Sequence, residues 1–113
     1  AGADVHATDN QGGTPLHSSA DWGYAEVGQM LVGAGANVHA VDNKGRTPLH
    51  RSAHNSHVEM SQMLVGAGAD VHAKDNTGKT PLDRAKTPCF PHDGHPAVIA
   101  FLQQASEPLT KSA

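Results

Sequence analysis

Side chains with metal-binding chemistry are concentrated in one short segment near the end of the chain, and they are Cys89, His92, Asp93 and His95. Thiolate, imidazole and carboxylate groups are the usual ligands of zinc in proteins. The C-x2-H-x2-H spacing is not that of a standard zinc site, however, and the prolines that interrupt this segment are typical of an irregular loop. A metal-binding or enzymatic use of the Cys89–His95 loop is therefore the weakest of three functional hypotheses.

Other histidines recur at regular positions, and their spacing shows whether they could form a metal site of a different kind. His50 and His54 are four residues apart, which lets two imidazoles share a metal on a helix, but the glutamate of an H-E-x-x-H motif is absent. His6, His39 and His72 form a ladder with one histidine every 33 residues. Packed elements lie roughly 8–10 Å apart, whereas two imidazole nitrogens on one zinc lie within about 4 Å of each other. We therefore expect no metal on the ladder.

Catalytic signatures are weak in the remaining sequence. No nucleophile–base pair, glycine-rich phosphate loop or pair of catalytic carboxylates stands out. The glycines of "VGAGA" recur in register, which is typical of helix ends. We therefore predict that the protein is not an enzyme and needs no cofactor.

The regular histidine spacing belongs to a larger internal repeat. The phrase "DNQGGTPLH" at residues 9–17 returns as "DNKGRTPLH" at 42–50 and as "DNTGKTPLD" at 75–83. A second phrase, "AGADVHA" or "AGANVHA", begins at Ala1, Ala34 and Ala67. Self-similarity at this period indicates one supersecondary unit used several times, with each unit burying its apolar side on the next.

The second copy of the unit predicts the local structure that carries these side chains. "DNKG" is a turn in which Gly45 can take a positive φ angle. Thr47 and Pro48 are expected to be the N-cap and first residue of a short helix that "HNSH" ends. A second helix is predicted over residues 58–65, with Gly68 just beyond its end. An extended segment then leads to the next turn.

The apolar positions of successive units predict one continuous core. Leucines at the same position in each unit are expected to line up along a shared interior line, and they are Leu16, Leu49 and Leu82. Methionines on the inward positions of the second helices are expected to pack in the core, and they are Met30, Met60 and Met63.

These recurring phrases resemble the ankyrin repeat, whose pattern is approximately D-x-x-G-x-T-P-L-H-x-A-A-x-x-G-H-x-x-V-x-x-L-L-x-x-G-A-D-V-N-A. The resemblance implies an all-α solenoid in which each repeat is a helix-turn-helix followed by a β-hairpin loop. The expected divisions are the end of a preceding partial repeat at 1–8, complete repeats at 9–41 and 42–74, a variant C-terminal capping repeat at 75–104 with a Pro-rich insertion at 86–96, and a flexible tail at 105–113.

The resemblance also implies roles for the histidines. His17 and His50 in "TPLH" would link the N-cap threonine to the backbone of a neighbouring repeat. His6, His39 and His72 stand where the family usually has an asparagine that an asparaginyl hydroxylase modifies. This position implies that the histidines could accept the same oxygen.

The two ends of the array are expected to differ. The second helix of the last repeat should start near Pro96. We expect its inward positions to be Val98, Phe101 and Leu102. Its outward positions are polar, as in a terminal cap, and they are Gln103 and Gln104. The first complete repeat should instead expose an apolar stacking face. Either preceding repeats or a neighbouring subunit is expected to cover this face.

Composition excludes several functional classes. The 113 residues carry a net charge of −3 and no basic field, which argues against nucleic acid as a partner. No apolar run approaches the roughly 20 residues of a membrane-spanning helix, so we expect no membrane insertion. A single cysteine, Cys89, cannot form a disulfide within the chain, which favours the cytoplasm or another reducing compartment.

The predicted function is a non-catalytic protein–protein interaction module. A curved solenoid offers an elongated concave surface, formed here by hairpin tips and first helices. Candidate partner-binding residues occupy positions that the stack leaves free to vary, and they are Asn10, Gln11, Asp21, Trp22, Tyr24, Asn43, Lys44, Arg46, His54, Asn55, Thr77 and Lys79.

Two of these features suggest what would be bound. Trp22, the only tryptophan, is expected either to anchor a partner or to shield the end of the array. Lys44, Arg46 and Lys79 form a positive strip suited to an acidic segment. The alternative function is a structural subunit docked permanently in a larger multiprotein assembly.

Overall fold

A computed structural model describes residues 7–55, 57–86 and 96–106. The described elements are the helices α1 (Pro15–Trp22), α2 (Ala25–Gly33), α3 (Pro48–His54), α4 (Val58–Gly66), α5 (Pro81–Ala85) and α6 (Pro96–Ser106). They follow one another as three helix–turn–helix units. None of these helices has the length and apolar character needed to cross a lipid bilayer.

The first helix of each unit starts at a Thr-Pro pair, as predicted. Thr47 has extended backbone angles, and its hydroxyl accepts a hydrogen bond from the His50 N–H at 3.3 Å. In return, the Thr47 N–H donates to His50 Nδ1 at 3.1 Å, which completes a capping box. Pro48 follows at the first helical position, where a missing N–H leaves no bond unmade. Thr14 and Thr80 cap α1 and α5 in the same way.

The helices end where the sequence predicts. α3 stops at His54, within "HNSH", and α4 begins at Val58. Ala67 caps α4, and Gly68 follows with φ 101°, which confirms Gly68 as the residue that turns the chain out of the helix.

The helices form two layers with the core between them. α1, α3 and α5 pack side by side in one layer, while α2, α4 and α6 form the other. Leu16 and Leu49 are fully buried and Leu82 is partly buried against them, so the predicted interior line of leucines is confirmed. The described residues contain no strand: the predicted hairpin loops are turns joined by hydrogen bonds. The fold is an all-α solenoid.

The prediction for Met30 is wrong. Met60 is fully buried and Met63 partly buried, but 72% of Met30 is exposed. The reason is that Met60 and Met63 pack onto Gly28 of the preceding unit, where an added Cβ would lie 2.7 Å and 2.6 Å from their methyl carbons. No described helix precedes α1, so nothing equivalent covers Met30.

The last unit follows the prediction at its second helix. α6 starts at Pro96, buries Val98 and Leu102, and packs the partly buried Phe101 against the core. Gln103 and Gln104 are exposed on its outer side. Most of the predicted insertion at 86–96 lies outside the described residues.

Candidate functional site

The turns and first helices form one continuous surface, which we call the turn–helix face. It consists of the turns 9–13, 42–46 and 75–79 together with α1, α3 and α5. In the second turn, Asp42 Oδ1 accepts the N–H groups of Lys44 and Arg46 at 2.9 Å and 3.0 Å. These bonds fix the backbone from which the variable side chains project.

Hydrogen bonds between successive turns lock the face together. The Asn43 N–H donates to the Gln11 carbonyl at 2.9 Å, and the Asn76 N–H donates to the Lys44 carbonyl at 3.0 Å. The Asn43 side-chain amide also donates to the Asn10 carbonyl at 3.3 Å. Although Asn43 was predicted to bind a partner, its amide is thus used within the stack. Asparagine at this position in all three units was the available signal of a structural role.

Arg51 holds two units together, and sequence reasoning missed it. Only 5% of its side chain is exposed. Its guanidinium donates to Asp42 Oδ2 at 2.8 Å, and to Asp21 Oδ2 of the preceding unit at 2.8 Å. The predicted site residue Asp21 is therefore part of an ion pair between units. The signal was weak, because the equivalent residue in the first unit is Ser18.

In the second and third turns the aspartate carboxylates are buried, so the charged groups exposed to solvent are mainly cations. The Asp42 side chain is 1% exposed, whereas its partner Arg46 is 27% exposed. Burial raises the pKa of Asp42, but hydrogen bonds from the Arg46 N–H and the Arg51 guanidinium outweigh it and lower the pKa to about 2. Because Asp42 is ionised but hidden, solvent meets the positive groups of Arg46 and of the exposed Lys44 and Lys79.

Four predicted site residues come together around a small cavity of about 50 Å³ between α1, α3 and α5. It is lined by Asp21, Arg46, His50, Arg51, His54, Asn55 and Arg84. Lys44, Thr77 and Lys79 do not line this cavity and are exposed in the second and third turns. All of these lining residues have charged or hydrogen-bonding side chains, so the cavity suits a polar side chain of a partner.

The two predicted aromatic residues occupy different places. Trp22 is the last residue of α1 and is 70% exposed. Tyr24 directly precedes α2 and is 57% exposed. It shares one side of that helix with Val27 and Met30, because these three positions follow the helical spacing. Trp22 therefore lies at the end of one helix of the turn–helix face, whereas Tyr24 belongs to the outer side of α2.

The "TPLH" histidines are structural, as the resemblance implied. His17 Nε2 lies 2.8 Å from the Arg46 carbonyl, and His50 Nε2 lies 2.7 Å from the Lys79 carbonyl. A carbonyl can only accept, so each Nε2 carries the proton and each Nδ1 accepts the threonine N–H. Burial lowers the pKa of both imidazoles, although the backbone bonds oppose it.

These pKa directions predict acid destabilisation in two steps. His17 and His50 take up protons below their ordinary value of 6.5 only when the chain unfolds, so the free energy of unfolding should fall as the pH drops below 6.5. Asp42 contributes stability above its ordinary value of 3.8, and that contribution is lost as the pH falls through about 2. Its share is about 2 kcal/mol. Urea denaturation at pH 8, 5 and 3 measures the trend. A flat profile from pH 8 to 5 would contradict the histidine step.

Metal chemistry has no support in the part of the chain that the structure describes, where no group of three or more His, Cys, Asp or Glu side chains could hold an ion. The Cys89–His95 loop and His6 lie outside the described residues. His39 and His72 are exposed, and each N–H donates to a nearby side chain, Asn37 or Asp70, at 2.9 Å. Their proposed oxidation stays a prediction.

Comparison with known proteins agrees with the repeat geometry. A family model described as ankyrin repeats in three copies matches residues 1–75 and 31–108. No curated protein matches the chain. Together these matched ranges cover nearly the whole length, and the chain belongs to the ankyrin-repeat family.

Proposed function

We propose that the chain is a non-catalytic module that binds a partner polypeptide through the turn–helix face. Ankyrin repeats generally mediate protein–protein interaction. The observation that carries the proposal is the combination of exposed cations and buried anions. Lys44 and Lys79 are exposed and Arg46 is partly exposed, while the carboxylates of Asp42 and Asp75 are hidden beneath them.

Charge complementarity defines the partner segment as acidic. A positive strip on a fixed backbone steers an acidic segment towards it and sets the register of binding. Trp22 lies at the end of one helix of the same face and supplies an apolar contact area of the kind that dominates interface energetics. The partner segment is therefore expected to combine acidic residues with an apolar residue that reaches Trp22.

Selection from a random peptide library on the immobilised chain would test this function. Acidic peptides should be enriched, and fluorescence anisotropy then gives the Kd of an enriched peptide. The double variant Lys44→Gln/Lys79→Gln should raise that Kd about threefold to tenfold, because each exposed ion pair is worth up to about 1 kcal/mol. Gln29→Glu/Gln62→Glu is the matched control. It changes the net charge equally but alters exposed positions on α2 and α4.

Trp22→Ala is the second variant in the same experiment. A hot-spot residue costs about 2 kcal/mol or more when truncated, so the Kd should rise at least about thirtyfold. Circular dichroism checks that the fold survives. If the peptide binds both the lysine variant and Trp22→Ala as tightly as the unmodified chain, the turn–helix face is not the binding surface.

The outer side of α2 favours a second function, as a permanently docked subunit. Tyr24, Val27 and Met30 are exposed there, and the equivalent residues of the next unit are His57, Met60 and Met63. Those equivalents pack on the preceding unit, with His57 Nε2 donating to the Asp21 carbonyl at 3.0 Å and both methionines against Gly28.

This similarity makes another ankyrin-type helix pair the fitting occupant of that side. Sedimentation velocity distinguishes the two functions. A freestanding module stays monomeric, whereas a permanent subunit expressed alone self-associates or aggregates through this side. Replacing Tyr24 and Met30 by Ser and Gln should then restore the monomer.

A further inference from the structure

The three turns carry equivalent aspartates with different surroundings. Asp42 Oδ2 accepts a hydrogen bond from Arg51 at 2.8 Å, and Asp75 Oδ2 accepts one from Arg84 at 2.8 Å. Each arginine lies nine residues after its aspartate. The residue nine positions after Asp9 is Ser18, so the first unit lacks the guanidinium that the other two supply.

Asp9 retains the geometry of the other two aspartates. Its Oδ1 accepts the N–H groups of Gln11 and Gly13 at 2.8 Å and 2.9 Å. These bonds, that of Gly13 foremost, lower the pKa of Asp9 and keep its carboxylate ionised at neutral pH. Within the described residues Asp9 forms no ion pair. The Arg51 guanidinium is close enough for its charge to help lower the pKa of Asp9, but it forms its ion pairs with Asp42 and Asp21; a Cβ added to Gly13 would be 3.0 Å from Arg51 Nη2 and 3.3 Å from Asp9 Oδ2.

An open pocket occupies the place of the absent arginine. Its volume is about 240 Å³, which is room for several waters at roughly 30 Å³ each. The lining residues are Ala7, Thr8, Asp9, Gly13, Thr14, Pro15 and Ser18. Carbon atoms of Ala7 and Pro15 offer an apolar wall for the methylene stem of a long basic side chain, while Asp9 faces its charged end.

The chain cannot supply that cation from its own first unit. The first 43 residues contain no lysine or arginine, and the first of either type is Lys44 in the second turn. Of the acidic residues in the described part of this unit, Glu26 lies on α2, whereas Asp9 and Asp21 lie on the turn–helix face, where Asp21 is paired with Arg51. The turn–helix face is therefore polarised, with an anionic site on the first unit and cations on the next two.

We propose that Asp9 and Ser18 form a pocket for an arginine side chain of the partner polypeptide. The proposal rests on the proposed function, because it takes the same face as the binding surface and adds a basic residue to the acidic segment. Arginine is favoured over lysine because Asp42 and Asp75 each bind a planar guanidinium through two of its nitrogens. In this orientation the arginine of the partner segment binds the first unit, and its acidic residues contact Lys44 and Lys79 on the next two units.

Titration with N-acetyl-arginine amide, followed by amide NMR of the full chain, tests the pocket directly. The N–H signals of Gln11 and Gly13, which bond to Asp9, should shift and saturate in the millimolar range. N-acetyl-citrulline amide has the same shape without the charge and should give no saturating shift. Lys44 and Arg46 are internal controls, because their N–H groups bond to Asp42, whose arginine sites are filled.

Two variants test the pocket by adding an arginine beside Asp9 or by removing the arginine beside Asp75. Ser18→Arg introduces at an exposed position the residue that the other units carry. The new side chain should fill the pocket and raise the Kd of N-acetyl-arginine amide at least tenfold. Arg84→Ser should open the matching pocket at Asp75, so that the probe now shifts the N–H signals of Thr77 and Lys79.

Two results would overturn the pocket: equal responses to arginine and citrulline, or an undiminished arginine response in Ser18→Arg. The proposed function is tested separately by Lys44→Gln/Lys79→Gln. If that variant weakens the selected peptide but the arginine probe gives no response, only the pocket is refuted. A probe response with no effect of the lysine variant refutes the acidic-segment proposal and leaves the pocket standing.

Discussion

Replacing Arg51 by alanine is expected to lower the free energy of unfolding by about 3–5 kcal/mol, the range for breaking a buried ion pair by removing one partner. The substitution leaves the Asp42 carboxylate ionised and 1% exposed, with only its turn N–H groups and Arg46 to stabilise it. It also removes the bond to Asp21, which joins the first two units. Urea denaturation at pH 7 measures the change.

Two further variants identify the cause of that loss. Lys44→Ala removes a cation from an exposed position of the same turn and should change stability by no more than about 0.5 kcal/mol. Adding Asp42→Asn to Arg51→Ala should recover part of the loss, because the stranded charge is then gone. A loss below about 1 kcal/mol for Arg51→Ala would show that Asp42 does not depend on this guanidinium.

His50→Ala is expected to destabilise the fold by about 2–4 kcal/mol. The imidazole is fully buried, so its removal leaves a cavity. It also deprives the Thr47 N–H of its acceptor and the Lys79 carbonyl of its donor. Thermal and urea denaturation measure the loss.

Asp83 provides the matched control within the chain. It occupies the equivalent position of the last unit, where its carboxylate accepts the Thr80 N–H at 3.0 Å. An ionised carboxylate has no proton to donate to a carbonyl, so Asp83→Ala removes a capping contribution of about 1 kcal/mol but no counterpart of the bond from His50 to the Lys79 carbonyl, and it should cost less than His50→Ala. Equal losses for Asp83→Ala and His50→Ala would mean that the bond to Lys79 contributes nothing.

The elements that the sequence predicted correctly depend on residues close together in the chain. Thr47 and Pro48 start a helix through bonds within its first turn, and Gly68 ends one through its own backbone angle. The period then places Leu16 and Leu49 at equivalent points of neighbouring units, which explains why the core was predictable.

The features that sequence reasoning missed depend on neighbouring units. The ion pair of Arg51 with Asp21 joins residues 30 positions apart, and its formation depends on side-chain directions in two helices. Met30 has the sequence position of a core residue, but no described helix pair precedes α1 to bury it. The sequence shows an asparagine at the same position of each unit, namely Asn10, Asn43 and Asn76. Their structural role became clear only from the hydrogen bonds between turns. Comparing the three units with one another, rather than each with a pattern, also exposes Ser18 as the position without an arginine.

The bonds between units run in both directions along the array. His17 and His50 donate forward to carbonyls of the following turn, while Asn43 and Asn76 donate backward to carbonyls of the preceding one. No unit can therefore peel away from its neighbour without breaking bonds of both kinds at once. Nearest-neighbour coupling of this strength makes melting cooperative, so the three units should lose their structure in one transition rather than one after another.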